Sequence, residues 1–213
     1  MFKARIIFKK SDEAAYISHL DLMRSLQRSF CRAKWPVRYS EGFNPHICMS
    51  VLSPLSTGFR SEYELCDVEL TEDFIPEDAR IRLEKALPSG ITVTDVYPAV
   101  TRSSDMKYSV YLIRMEGGSA KLSESLFSGS VYTEKKSKSG SKRIDMKDYI
   151  SEIHFEESSS GQTLCRCRLS MGEDQLNPSY IVQALRENGF LPEDGSVTYT
   201  RIAILDKNGD LFR

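Results

Sequence analysis

Apolar residues recur along the chain with two different spacings, and the switches between them mark out the elements. Residues 3–9 put Ala4, Ile6 and Phe8 on one side and Lys3, Arg5, Ile7 and Lys9 on the other, the period of a half-buried strand. The period then lengthens: Leu20, Met23, Leu26, Gln27 and Phe30 follow helical spacing and predict an inward stripe. Ser18 is placed to cap that helix, Asp21 stands near its positive end, and Pro36 closes the run. Residues 37–40 read as a short strand, 41–54 as a long loop with two prolines and a glycine, and 62–70 as another strand. Pro76 suits the first turn of a second helix, with Glu77 and Asp78 beside it and Ala79, Leu83, Ala86 and Leu87 inward. Pro88-Ser89-Gly90 stops it, and residues 91–96 complete a strand. The order β-α-β-β-α-β is that of a split-βαβ, or ferredoxin-like, unit.

After a polar connection at 98–106 the same order is expected again. Residues 108–115 predict a strand, Gly117-Gly118 a turn and 121–127 a short helix. Residues 131–135 predict a strand that enters a flexible basic loop at 136–142, and 143–155 a strand with an irregular turn inside it. Residues 163–170 form a strand pattern, Asn177-Pro178 opens a helix striped with Ile181, Val182 and Leu185, and Gly189 fits its C-terminal cap. Residues 197–205 close the sheet and Asn208-Gly209 marks a turn. The expectation is an α+β chain of two tandem split-βαβ units with antiparallel sheets, 1–98 and 107–213. Element order alone carries the second unit, since no sequence repeat accompanies it.

Composition changes this picture little. The chain has 213 residues, 40% hydrophobic and 28% charged, as in ordinary globular proteins. No run of eighteen apolar residues predicts a membrane span. Met1 leads directly into the first strand without an apolar signal core, and five scattered cysteines fit a reducing compartment, so a cytoplasmic location is expected.

Charge changes it more. The net charge is −1, but residues 1–60 carry ten Lys/Arg against four acids, and residues 61–100 three against ten. That asymmetry predicts a basic face, or else neighbouring elements that neutralise each other. The bases concentrate on the first helix, where Arg24, Arg28 and Arg32 form one i, i+4, i+8 row. Tyr16 and His19 stand at its start, where backbone N–H groups can hold a phosphate. Tyr39 and Phe43 follow, with Asn44 and His46 in a Gly-Phe-Asn-Pro-His loop. Arginines beside exposed aromatics suit single-stranded RNA, whose bases stack on rings. An ordinary solvated helix face has the same pattern. His19 is also a candidate catalytic base on an RNA 2′-hydroxyl, with Tyr16 or an arginine stabilising the developing charge; equally it could hydrogen-bond a loop. The basic segment 135–143, with Lys142 and Arg143, is a second candidate contact.

Other chemistries are poorly represented. Cys165 and Cys167 share one side of a strand with Thr163 and Leu169, which predicts a core face and not a ligand pair. Cys31, Cys48 and Cys66 have no metal-binding spacing, and there is no phosphate-binding glycine motif or nucleophile elbow. No metal site and no cofactor is expected within this chain.

The run Tyr16-Ile17-Ser18-His19-Leu20-Asp21-Leu22-Met23-Arg24, followed by Tyr39-Ser40-Glu41-Gly42-Phe43-Asn44-Pro45-His46, closely resembles the radical-SAM-linked protein family of bacteria. Residues 50–58 and the strand at 62–70 are similar too, and the likeness is sharpest over about the first seventy residues. The resemblance implies an accessory part that works with a radical SAM protein, since the radical SAM cysteine motif itself is missing here. The family's genes often lie near those for ribosomal proteins and ribonucleases, which implies an RNA-related role. A weaker resemblance of architecture is to the CRISPR repeat-processing endoribonucleases of the RAMP type, although their C-terminal glycine-rich loop has no counterpart. The combined expectation is a non-catalytic RNA-binding or substrate-presenting module acting with a radical SAM partner and no membrane. The alternatives are a metal-independent endoribonuclease and a protein-interaction scaffold.

Overall fold

The computed structural model describes residues 2–137, 140–172 and 175–213 and shows a mixed α/β chain with mostly antiparallel sheet and, among these residues, five α-helices. None of these helices is long and apolar enough to cross a membrane. The chain divides into two compact units, Met1–Ser103 with Arg213, and Ser104–Phe212.

The first unit contains β1 (Phe2–Lys10), α1 (Asp12–Ala15), α2 (His19–Arg32), β2 (Met49–Leu52), β3 (Phe59–Leu70), α3 (Pro76–Glu84) and β4 (Ile91–Pro98). Its strands lie in the order β4-β1-β3-β2, each antiparallel to its neighbour. One sheet face presents Ala4, Ile6, Phe8, Cys66, Val68, Val93 and Val96 to the buried side of the helices, where Leu22, Leu26, Phe30, Ala79 and Leu83 complete the core. Trp35 sits at its margin, stacking near Phe30 and Phe74 and donating its Nε1–H to the Ala79 carbonyl at 3.2 Å.

Four expectations are corrected here. The second strand is not at 37–40, where only isolated bridges pair Val37 with Leu70 and Tyr39 with Ile47; it is Met49–Leu52, inside the stretch expected to be loop. The loop residues immediately before it mask a four-residue run of β-compatible side chains. The helical stripe is turned: Leu20 is exposed and Leu22 is buried, so the inward row is Leu22, Leu26 and Phe30 at i, i+4, i+8. The first strand is not half-buried. Residues Ala4 to Phe8 are all inaccessible, and Arg5 is accommodated because Asp67 on β3 accepts from it twice, Nε to Oδ1 at 2.7 Å and Nη2 to Oδ2 at 3.0 Å. Finally, α1 was not foreseen, being only four residues long.

The second unit contains β5 (Tyr108–Glu116), α4 (Ala120–Phe127), β6 (Tyr132–Ser137), β7 (Gly140–Asp145), β8 (Ile150–Glu157), β9 (Gln162–Ser170), α5 (Ser179–Glu187) and β10 (Val197–Leu205). Its sheet runs β10-β5-β9-β8, again antiparallel throughout. Thr163, Cys165, Cys167 and Leu169 are buried on one side of β9, as their alternation predicts. The basic stretch expected to be a loop is instead the hairpin β6–β7, which pairs Tyr132 with Asp145 and Lys135 with Lys142. Lys138 and Ser139 lie outside the described residues.

Candidate functional site

Ser18 has the extended backbone of an N-cap, and its hydroxyl accepts the Asp21 N–H at 3.2 Å while donating to Asp21 Oδ2 at 2.7 Å. This fixes the first turn of α2 with His19 as its opening residue, exposed and, among the described residues, without a side-chain hydrogen bond. Tyr16 precedes the turn and is 76% exposed. The Gly58 N–H bonds to the Ala15 carbonyl at 2.8 Å, and a Cβ at Gly58 would lie 3.9 Å from the Tyr16 ring, so this turn props the aromatic outward.

Along α2, Leu20, Arg24, Gln27 and Cys31 recur every three or four residues on the outward face, with Arg28 beside them. Leu20, which follows His19, is 65% exposed on this face. Arg24 reaches Asp21 at 3.2 Å in an exposed pair, and Ser18 with Arg24 holds the Asp21 carboxyl below its ordinary range. Arg28 is exposed and makes no side-chain bond among the described residues. Arg32, the last of the row, is turned to a different use: its Nε donates to the Ala86 carbonyl at 3.1 Å and its Nη2 to Ser29 Oγ at 3.0 Å, tying α2 to the end of α3.

Beyond α2 the chain touches the C-terminal end of that helix. The Tyr39 hydroxyl lies 3.6 Å from Cys31 Sγ, a contact that raises the phenol above its ordinary pKa and places Tyr39 at the C-terminal end of the helix. The loop that follows is closed at its base: Ser40 N–H donates to the His46 carbonyl at 2.8 Å, His46 N–H donates to Ser40 Oγ at 3.1 Å, and Ser40 Oγ lies 2.8 Å from His46 Nδ1. Gly42 turns the chain at φ +119°, a conformation that an L side chain rarely adopts. Phe43, next to it, is fully exposed, as is Asn44.

The candidate residues of the first unit therefore form a strip and not a cluster. Tyr16 and His19 stand at one end of α2 and Cys31 with Tyr39 at the other, about 18 Å apart at 1.5 Å per residue. Arg24 and Arg28 occupy the interval. Lys142 and Arg143 are on the β6–β7 hairpin of the other unit, where the Arg143 guanidinium lies 4.7 Å from the Tyr132 ring centre and Lys135 Nζ 5.1 Å from that of Tyr149. His19 and His46 are held by different segments: His19 has no side-chain partner among the described residues, whereas His46 Nδ1 lies 2.8 Å from the Ser40 hydroxyl within its own loop. Among the described residues no three His, Cys, Asp or Glu side chains converge as metal binding requires.

Sequence patterning missed three contributors to this strip. Leu20 was expected in the core; the i, i+4 row Leu22-Leu26-Phe30 is the signal that would have turned it outward. Cys31 and Ser40 carry no sequence signal for their contacts with Tyr39 and His46, which depend on how the chain returns.

Comparison with known proteins places most of the chain in one group. A family model described as "Uncharacterized protein conserved in bacteria (DUF2344)" matches residues 3–178. No curated protein matches the chain.

Proposed function

The chain belongs to this bacterial family, and from that premise we propose that it is a non-catalytic binding module whose first unit receives single-stranded RNA along α2. One observation carries the reading: exposed Tyr16 and Tyr39 stand at the two ends of a strip about 18 Å long with the outward Arg24 and Arg28 between them, and exposed Phe43 follows in the next loop. Bases stack on rings and phosphates pair with guanidinium groups, so a strip with rings at its ends and guanidinium groups between them fits a strand of about five stacked nucleotides. Arg28 makes no side-chain bond among the described residues, and Arg24 can exchange an exposed, weakly held Asp21 for phosphate.

The likeness of residues 16–24 and 39–46 to the radical-SAM-linked proteins supports a radical SAM enzyme as the working partner, with this chain presenting substrate to it. We further infer that both units are split-βαβ, ferredoxin-like folds. Their strands fall in the same spatial order, β4-β1-β3-β2 and β10-β5-β9-β8, with the hairpin β6–β7 inserted in the second.

A protein-docking role for the same strip is favoured by Leu20, which RNA does not need, and by the partners that Arg24 and Arg32 already have. A tagged pull-down from the native cell after ultraviolet crosslinking, with and without ribonuclease, separates the two. A defined RNA crosslinked at Tyr16, Tyr39 or Phe43 is the expected result. A radical SAM protein that survives ribonuclease, with no RNA recovered, makes the strip a docking surface instead.

A further inference from the structure

We propose that the outer face of the second unit's sheet is another contact surface for single-stranded RNA, through Arg114, Arg166 and Arg168; this rests on the RNA reading above and extends it to residues outside the strip. The strand registers put side chains of that face into rows. Thr198, Arg114, Leu164 and Glu156 form one, Thr200, Leu112, Arg166 and His154 the next, and Ala203, Val110, Arg168 and Glu152 the third. The opposite face carries the buried Ile113, Met115, Cys165 and Cys167, so the arginines are directed away from the core.

Three guanidinium groups thus sit on the two central strands, β5 and β9, on diagonal or alternate positions. Arg168 is paired with Glu152 at 3.0 Å and lies 5.8 Å from the Tyr108 ring centre, while its Nε has no partner. Arg114 and Arg166 are exposed and, among the described residues, make no ion pair or side-chain hydrogen bond. Glu156 is at the end of the first row, with Leu164 between it and Arg114, and His154 is drawn to the sheet edge, its Nδ1 3.6 Å from Glu124 on α4. No arginine faces another directly, and among the described residues no acid is paired with Arg114 or Arg166.

The end of this face that carries Arg166 and Arg168 is concave. A groove of about 550 Å³ is lined by Val110, Glu152, His154, Arg166, Arg168 and Leu205, among others. Half-buried Leu112 and Leu164 lie beside the arginines, and half-buried Tyr108 and the planar guanidinium groups provide surfaces on which bases can stack. A phosphodiester chain supplies both the missing negative charge and the flat apolar groups. Stacking surfaces of this kind are met by the unpaired bases of a single strand, which is the form of RNA that the fit favours.

The test is the affinity of a fluorescein-labelled oligouridine for the full chain, read by anisotropy over a salt series. It compares the wild type, Arg114→Glu/Arg166→Glu in the second unit and Arg28→Glu/Phe43→Ala in the first. The inference predicts that the second-unit variant binds at least ~10-fold more weakly, with a salt slope shallower by about 1.4, two phosphates' worth. Arg114→Lys/Arg166→Lys, which keeps the charge, should retain the slope and so exclude a folding defect. If the first-unit variant weakens binding while Arg114→Glu/Arg166→Glu leaves affinity and slope at wild-type values, this inference fails and the strip stands. If only the second-unit variant weakens binding, the sheet face stands and the strip fails. No binding by the wild type overturns both.

Discussion

The Ser40 hydroxyl lies 2.8 Å from His46 Nδ1 and also accepts the His46 backbone N–H, so one small side chain closes the loop that projects Phe43. Because His46 is exposed and Ser40 only half-buried, the pair contributes little to global stability but limits the conformations of the five residues between them. Ser40→Ala should change the unfolding free energy by less than about 1 kcal/mol. It should nevertheless speed amide exchange across residues 41–46 and weaken RNA binding several-fold. Unaltered exchange in that loop would show that His46 does not brace it.

A second pair works in the opposite way. Arg5 and Asp67 are both buried, and the Arg5 Nη2 also donates to the Thr101 carbonyl at 2.9 Å. Removing one partner leaves a charge in the sheet interior without its counter-ion. Asp67→Ala should therefore cost roughly 3–5 kcal/mol in urea denaturation, and Arg5→Met/Asp67→Leu distinctly less. A double variant as damaged as the single would contradict this account of the pair.

One outer strand of each unit is blunted by the same device. Glu84 of α3 accepts the Val93 N–H at 2.7 Å on β4, and Glu124 of α4 accepts the Phe155 N–H at 2.9 Å on β8. Each carboxylate occupies a backbone donor that could otherwise pair with another chain. Glu124→Ala should lower stability by about 1–2 kcal/mol and promote concentration-dependent association, detectable by light scattering. A variant that is destabilised yet stays monomeric at high concentration would leave Glu124 a structural role only.

Acid should loosen the start of α2. The Ser18 hydroxyl, with Arg24 second, holds the Asp21 carboxyl below the ordinary aspartate value of about 3.9. A carboxylate depressed in the folded state stabilises it above the unfolded-state pKa, and that contribution is lost as pH falls through the lower, folded-state value. A carboxyl titration by NMR should show Asp21 titrating below about 3.9, and Ser18→Ala should move it upward while costing about 1 kcal/mol of helix capping. An unshifted Asp21 in both proteins would remove the capping interaction from the account.

Much of the first unit could be read from the sequence because its elements have strong local signals. Pro76 sets the start of α3, and Ser18 with Asp21 sets that of α2. Gly90, foreseen as a helix stop, has φ +84° and also seats α1, since a Cβ there would come within 3.0 Å of the Ala14 nitrogen. What escaped was non-local. Burial of Arg5 requires Asp67, sixty-two residues away, and no alternation in β1 foretells it. The Met49–Leu52 strand is too short to outweigh the Gly, Asn and Pro residues ahead of it. Within the strip, Tyr16, Tyr39 and Phe43 were legible as aromatics near arginines, whereas the diversion of Arg32 to Ala86 depends on helix packing that spacing does not encode.

The central claim is that the outward face of α2 and the Phe43 loop bind RNA together. The most direct measurement is the affinity of a labelled single-stranded RNA, as a function of salt, for the wild type, Arg24→Glu/Arg28→Glu and Phe43→Ala. The account predicts a salt slope shallower by about 1.4 for the double charge reversal, and a loss of roughly 10-fold at constant slope for Phe43→Ala. Affinity and slope that are the same in all three proteins would contradict it.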